Sequence, residues 1–163
     1  MEYWDIYDKN RQKTGNLVRR GESMTEGDYH LVVFAFLRNV DGKFLISKRA
    51  PGKICAGQWE ITGGSAIVGD DSLSAILREV KEEVGLTLDE KKGKLIKSFR
   101  VDCANSFFAD IWLFEHEIRL DEVVCQEEEV SQVRLVEKYE IKSLIEKGEF
   151  IKNSNITECL EMI

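Results

Sequence analysis

Between Tyr29 and Asn39 the chain reads YHLVVFAFLRN, with few polar breaks. Such a run predicts a strand covered on both faces, at the centre of a sheet. Asp41-Gly42 follows as a hairpin turn, and KFLISKR returns as a second strand. Ahead of both, WDIYDKNRQKTG predicts a strand, a turn at Asp8-Lys9-Asn10 and a second short strand. A loop, APGKICAGQ, holds the single proline and leads to a short strand, WEIT. That strand ends at Gly63-Gly64, a pair expected to allow a sharp turn and a close backbone approach to a ligand. Further on, LIKSFRV, FFADIWLFEHEI and VSQVRLVE predict strands, and YEIKSLIEKG and ITECLEMI predict amphipathic helices. Strands around one central helix, closed by two more helices, predict an α+β fold: an α/β/α sandwich with a mixed sheet.

The central helix is expected from Ser72 to Val84, with Asp71 or Ser72 as N-cap and Gly85 as C-cap. At about 100° per residue, Leu73, Ile76, Leu77, Val80 and Val84 share one apolar stripe. Glu79, Glu82 and Glu83 occupy a second arc at spacings i, i+3 and i+4, where side chains are neighbours. Glu83 lies about 20° from the edge of the stripe, and Lys81 lies on the stripe's other side. An ordinary solvated charged face is one reading of this arc. Neighbouring like charges repel by a few tenths of a kcal/mol per pair, however, and one edge borders the core. A divalent cation would convert that repulsion into coordination, because hard cations take carboxylate oxygens and bind phosphates at the same time.

Composition narrows the field. With 163 residues, 43% apolar and 33% charged, the chain suits one soluble domain with its own core. A formal net charge of −7 argues against a nucleic-acid surface. No apolar run reaches the roughly 18 residues of a membrane span, and MEYWDIYDKN lacks the features of a signal peptide. Cys55, Cys103, Cys125 and Cys159 are scattered, with no C-x-x-C pair, which predicts reduced cysteines in a cytoplasmic protein.

Gly64, five residues, Asp70, seven residues and then REVKEEVGL resembles the Nudix box, spanning residues 64–86. Every defined position fits except Asp70, where the family has Glu. Flanking segments, KFLISKRAPGKICAGQWEITGG and EEEVSQVRLVEKYEIKSLIEKGEF, are similar to those on either side of the box in this family. The resemblance implies a single Nudix domain over residues 1–163, with a mixed β-sheet between helices. It implies Mg²⁺- or Mn²⁺-assisted hydrolysis of a pyrophosphate linkage in a nucleoside diphosphate derivative, a small-molecule substrate. Glu79, Glu82 and Glu83 would be the metal ligands, one of them partly a base toward water, with the choice open. Arg78 would orient these carboxylates, and Gly63 and Gly64 would let the substrate approach. Ile67 stands where many members carry another acid. Many members are homodimers, though nothing in this sequence marks an interface.

Other residues have two readings each. Lys48 and Arg49 end a strand beside the site loop, where they meet either a phosphate or solvent. Trp59, Phe107 and Trp112 offer stacking for a base or filling for the core. The run Glu127-Glu128-Glu129 is either a solvated acidic loop or the source of a further site acid. His30 and His116 lie far apart and suggest no dyad or zinc site. The N-terminal block also resembles the subgroup containing isopentenyl-diphosphate isomerases, which makes prenyl-diphosphate isomerisation the main alternative. That chemistry needs a cysteine where this chain has Gly63-Gly64, and the nearest, Cys55, lies nine residues before Gly64. A non-catalytic nucleotide sensor is the third reading, against which the three retained glutamates stand.

Overall fold

A computed structural model describes every residue, Met1–Ile163. Nine strands form: β1 (Tyr3–Tyr7), β2 (Lys13–Arg19), β3 (His30–Arg38), β4 (Phe44–Arg49), β5 (Trp59–Glu60), β6 (Thr62–Ser65), β7 (Gly93–Val101), β8 (Phe107–Glu115) and β9 (Val130–Val136). The helices are α1 (Ser72–Val84), α2 (Lys138–Glu146) and α3 (Ser154–Met162). β3 is the centre of the main sheet, as its unbroken apolar run predicts. It pairs in parallel with β8 from His30↔Phe107 to Arg38↔Glu115. Its other side is divided between β6, which covers Val32 to Ala35, and β4, which takes Leu37 and Arg38, both antiparallel. The sheet is therefore mixed, with β7 beyond β8, and β5 and β9 against β4.

Both faces of β3 are buried, and they bury against different layers. Leu31, Val33, Ala35 and Leu37 pack with Ala75, Ile76, Val80 and Val84 of α1. Phe36 points the other way, into a core with Ile141 of α2 and Ile156 and Leu160 of α3. This two-sided burial is the expected α/β/α sandwich.

α1 begins and ends where its caps require. Asp71 accepts a hydrogen bond from the Ser74 amide at 2.7 Å, while Ser74 Oγ accepts one from the Asp71 amide at 2.8 Å. This reciprocal capping box satisfies amides that have no partner inside the helix. Gly85 stops the helix in the left-handed region, φ 74°, and its amide donates to the Lys81 carbonyl.

Two expectations need correcting. WEIT is not one strand: the chain changes partner at buried Ile61, leaving β4 after β5 and joining β3 as β6. Nor do Gly63 and Gly64 make a turn. They lie within β6, facing Phe34 and Val33 across the sheet. Side-chain size, not a special backbone conformation, is what excludes other residues here. A Cβ on Gly63 would come within 2.5 Å of the Val33 carbonyl oxygen.

The N-terminal hairpin of β1 and β2 lies against the end of β3. Trp4 stacks on His30 with ring centroids 4.1 Å apart, and Tyr7 bridges to Tyr29. Arg11 reaches from the hairpin turn to buried Asp110 of β8, donating through both terminal guanidinium nitrogens, Nη1 at 2.9 Å. That bidentate contact pins the hairpin to the sheet.

Candidate active site

β6 and α1 run past each other at the site, and Gly64 is the reason they can. A Cβ there would sit 2.5 Å from both carboxylate oxygens of Glu79, so any larger residue would displace that side chain. Glu79 and Glu83 are buried on this face and Glu82 is exposed at its outer edge. This order follows the helical wheel: Glu83 lies nearest the core stripe and Glu82 farthest from it.

Arg78 organises the acids. Its Nη1 donates to Glu79 Oε1 and to Glu82 Oε2, each at 3.0 Å. Nε and Nη2 donate to Asp70 Oδ2 at 3.1 and 2.9 Å, and Nη2 also reaches the Ser65 carbonyl at 3.2 Å. The one departure from the box pattern is thereby explained. Asp70 holds the arginine that holds the glutamates, and its carboxylate also accepts from the Ile67 amide at 3.2 Å. Burial opposes the Arg78 charge, but the Asp70 hydrogen bond and the fields of Glu79, Asp70 and Glu82 outweigh it and keep the guanidinium protonated.

A cavity of about 250 Å³ opens beside these groups. Its walls include Arg49, Lys53, Glu60, Gly63, Gly64, Arg78, Glu79, Glu82, Glu83 and Glu129, with Glu2 and Arg20 from the N-terminal hairpin. Six carboxylates face four basic side chains, an excess of two negative charges. Arg49 donates to Glu60 at 2.8 Å, and Lys53 pairs with Glu129 at 2.5 Å. Glu83 has no such cation. Burial, followed by the charges of Glu79, Glu60 and Glu129, pushes its carboxyl well above the ordinary carboxylate range. Burial raises Glu79 too, though Arg78 opposes the shift, and it raises Glu60 against the pull of Arg49.

This donor set suits a hard divalent cation: carboxylate oxygens only, a charge deficit of two, and one buried carboxylate without a counter-charge. The side chains are not gathered into a coordination sphere, because Arg78 draws Glu79 and Glu82 toward itself. Arg78 holds one oxygen of each, which leaves Glu79 Oε2 and Glu82 Oε1 off that arginine.

Arg49, Gly63 and Gly64 line the cavity as expected. Trp59 does not. It is 3% exposed within the core behind the sheet, with Arg134 over its ring at 4.7 Å and Lys48 at 5.6 Å. Its expected stacking on a substrate base is therefore corrected, and Lys48 is likewise turned toward this ring. Trp112 packs at the start of α1, donating to Ser72 Oγ at 2.9 Å, and Phe107 lies against His30. Of the acidic run, Glu129 lines the cavity while Glu127 and Glu128 are exposed outside it. His116 lines a larger, open hollow of about 720 Å³ around the β3–β4 turn, which contains none of the box residues. Glu60, Lys53, Arg20 and Glu2 were not anticipated. Only the placement of Glu60 beside Gly63-Gly64 in sequence hinted at a role for any of them.

A mixed sheet sandwiched between helices, with a glutamate-bearing helix facing a charged cavity, extends the likeness seen in residues 64–86 to the whole chain. The profile of the NUDIX domain matches residues 28–155. The chain belongs to the Nudix family and is a hydrolase of that family. A Nudix hydrolase of Listeria innocua, itself uncharacterised, is 35% identical over 99% of this chain and 95% of its own length. Nudix hydrolase 3 of Arabidopsis thaliana is 32% identical over 90% of this chain, which spans 20% of that larger protein. Among solved structures, the DR0079 protein of Deinococcus radiodurans superposes with a TM-score of 0.78 at 21% identity, covering 99% of this chain and 98% of its own. Nudix hydrolases in general use a divalent metal, and the cavity's chemistry accords with that.

Proposed function

We propose that the protein hydrolyses a pyrophosphate linkage in a nucleoside diphosphate derivative, using Mg²⁺ or Mn²⁺. The observation that carries this reading is the two-charge deficit of the cavity, centred on buried Glu83. Glu79, Glu82 and Glu83 would hold the cation, which supplies neutralisation of the phosphate oxygens. Arg78, fixed by Asp70, sets the direction of Glu79 and Glu82. Gly63 and Gly64 keep side chains off the cavity floor. Arg49 and Lys53 add positive charge for the substrate's phosphates while paired with Glu60 and Glu129. One of the cavity carboxylates takes the proton released by the attacking water, and the bond between phosphorus and the bridging oxygen breaks to leave two phosphate-bearing or phosphate-terminated products.

The isomerase alternative finds less support, since none of the cavity's lining residues is a cysteine and Cys55 is exposed in the loop beyond β4. Residues 1–163 would act as one domain, because Arg11 ties the hairpin to the sheet. All four cysteines are free, and no helix is long and apolar enough to cross a membrane. The free thiols favour a cytoplasmic enzyme.

The test is incubation with a panel of nucleoside diphosphate sugars, dinucleoside polyphosphates and isopentenyl diphosphate, with and without Mg²⁺. Metal-dependent nucleoside phosphates are expected. Dimethylallyl diphosphate as the product would establish the isomerase instead, and tight binding without turnover would establish a sensor.

A further inference from the structure

The geometry points to Arg20, on the N-terminal hairpin and outside the matched Nudix residues 28–155, as a phosphate-binding residue of this site, held in reserve by Glu2. This rests on the diphosphate-hydrolase reading above and adds to it the cation that receives the substrate.

The cavity's four basic groups rank by what each must give up to meet an anion. Arg78 makes five hydrogen bonds, to three carboxylates and a carbonyl. Releasing it would disorganise the acids it aligns. Arg49 is held by both oxygens of Glu60 and by the Ile54 carbonyl at 2.7 Å, and both members of the pair are largely buried. Lys53 is paired with Glu129 at 2.5 Å, with each side chain about 30% exposed. Arg20 has one partner, Glu2, at 2.6 Å, and the side chains are 50% and 44% exposed. Exchanging an exposed carboxylate for a phosphate costs little, because exposed pairs contribute least. The gain is a charge-assisted, two-pronged contact that a guanidinium makes well with phosphate.

Placement agrees with that ranking. Arg20 and Glu2 wall the box cavity on one side and, with Met1 and Arg19, a shallow hollow of about 360 Å³ on the other. The pair is thus a partition through which a substrate longer than a diphosphate would extend. The Glu2 hydrogen bond, and then the fields of Glu2, Glu79 and Glu129, favour the charged form of Arg20, so its charge is felt inside the cavity. The hairpin can hold Arg20 in position because it is anchored to the rest of the fold by contacts that do not involve Arg20. Arg11 bonds to Asp110, the Gly69 amide donates to Asp5 at 3.0 Å, and the Val68 amide donates to the Tyr3 carbonyl at 2.9 Å.

The probe is α,β-methylene-ADP, whose diphosphate resists hydrolysis, titrated calorimetrically in the presence of Mg²⁺. Arg20→Ala is expected to weaken binding about tenfold, and Arg20→Lys by less, since it keeps the charge and loses the fork. Glu2→Gln is expected to tighten binding about threefold, because Arg20 is then free before the ligand arrives. A merely structural role for the pair would weaken binding in both variants. Mn²⁺ binding alone, followed by EPR, is expected not to weaken in Arg20→Ala. Methylene-ADP binding unchanged in Arg20→Ala, weakened in Glu2→Gln, or lost together with Mn²⁺ binding would each overturn the assignment of Arg20 while leaving the hydrolase reading intact. Wild-type protein that binds no methylene-ADP would overturn both.

Discussion

Two carboxylates are buried in this protein in opposite ways. Asp110, on β8, is 1% exposed, yet its surroundings answer its charge. Arg11 grips both oxygens and Ser98 Oγ donates at 2.6 Å. Burial pushes its acidity one way, and bonds from Arg11, Ser72 and Ser98 push it further the other way, below the ordinary range. Glu83, on α1, is 9% exposed and faces Glu79, Glu60 and Glu129. Its carboxyl is raised well above the ordinary range, and the fold supplies no cation for it. A buried charge that the chain neutralises itself is structural. One left unanswered beside a cavity is kept for something that binds.

The largest effects should come from Glu82 and Glu83. Glu82→Gln or Glu83→Gln is expected to lower Mg²⁺-dependent hydrolysis by about two to three orders of magnitude without unfolding the protein. Stability sharpens the contrast. A carboxyl raised in the fold binds more protons there than in the unfolded chain, so stability falls as pH rises past about 4.5 toward its folded pKa. Glu83→Gln should therefore melt at a higher temperature than wild type in metal-free buffer, by more at pH 7.5 than at pH 4.5. Full activity in a folded variant would show that the carboxylate is not a ligand.

Asp110→Asn should do the reverse. It leaves the Arg11 guanidinium without its counter-charge, at a cost of about 2–3 kcal/mol, reduced from the fully buried case because Arg11 is a third exposed. Urea titration at pH 7 measures it. Unchanged stability would mean that the Arg11 contact is dispensable and that the hairpin's other contacts, Trp4, Tyr7 and the Val68 amide among them, hold it.

How much of this contrast was readable in advance depends on the sequence distance over which each part is built. α1 was legible almost to the residue. Its stripe, its caps Asp71 and Gly85 and its carboxylates are all local, and local geometry settles them. Asp110 was not legible, because its partner Arg11 lies 99 positions away and neither residue sits in a pattern. The same holds for much of the cavity wall: Arg20 and Lys53 come from the end of the hairpin and from the loop before β5, whereas Glu129 was one of two open readings of its acidic run. Trp59 misled because an aromatic in a strand fits stacking in a site or filling in a core, and only the packing around it, with Phe36, Ile46 and Phe150 in one cluster, decides. Gly63-Gly64 reads as a turn in the sequence, but close approach inside a strand, here to Val33 and to Glu79, needs glycine as much as a turn does.

A third buried group tests whether an unanswered polar residue must be functional. His30 stacks between Trp4 and the edge of Phe107, and its Nδ1 has no hydrogen-bond partner. Burial, with the Arg20 charge adding, lowers it to about 4. A histidine lowered in the fold is neutral there while the unfolded chain takes up a proton. Its stabilising effect is therefore complete above about pH 6.5 and is lost as pH falls toward 4. Between pH 7 and pH 5 the loss should be about 2 kcal/mol in urea titrations. His30→Phe should remove most of that dependence. A slope that survives the substitution would assign it to the carboxylates instead.

The smallest effect expected is at Asp70, which is buried in neither manner. It is largely covered, binds Arg78 through two of its nitrogens and accepts from the Ile67 amide, so its charge is answered, but by a residue whose other side-chain partners include Glu79 and Glu82. It serves the unanswered group through an intermediary. Asp70→Glu adds one methylene and keeps the charge, and Arg78 has rotamers enough to follow, so hydrolysis should change by no more than about threefold, or under 1 kcal/mol. Asp70→Asn keeps the length and loses the charge. It should slow turnover by about tenfold with the substrate KM nearly unchanged, because the misaligned groups are Glu79 and Glu82 rather than any contact to the substrate. Kinetics on both variants separate the two requirements: a larger loss in Asp70→Glu than in Asp70→Asn would mean that distance, not charge, is what Arg78 needs from this position.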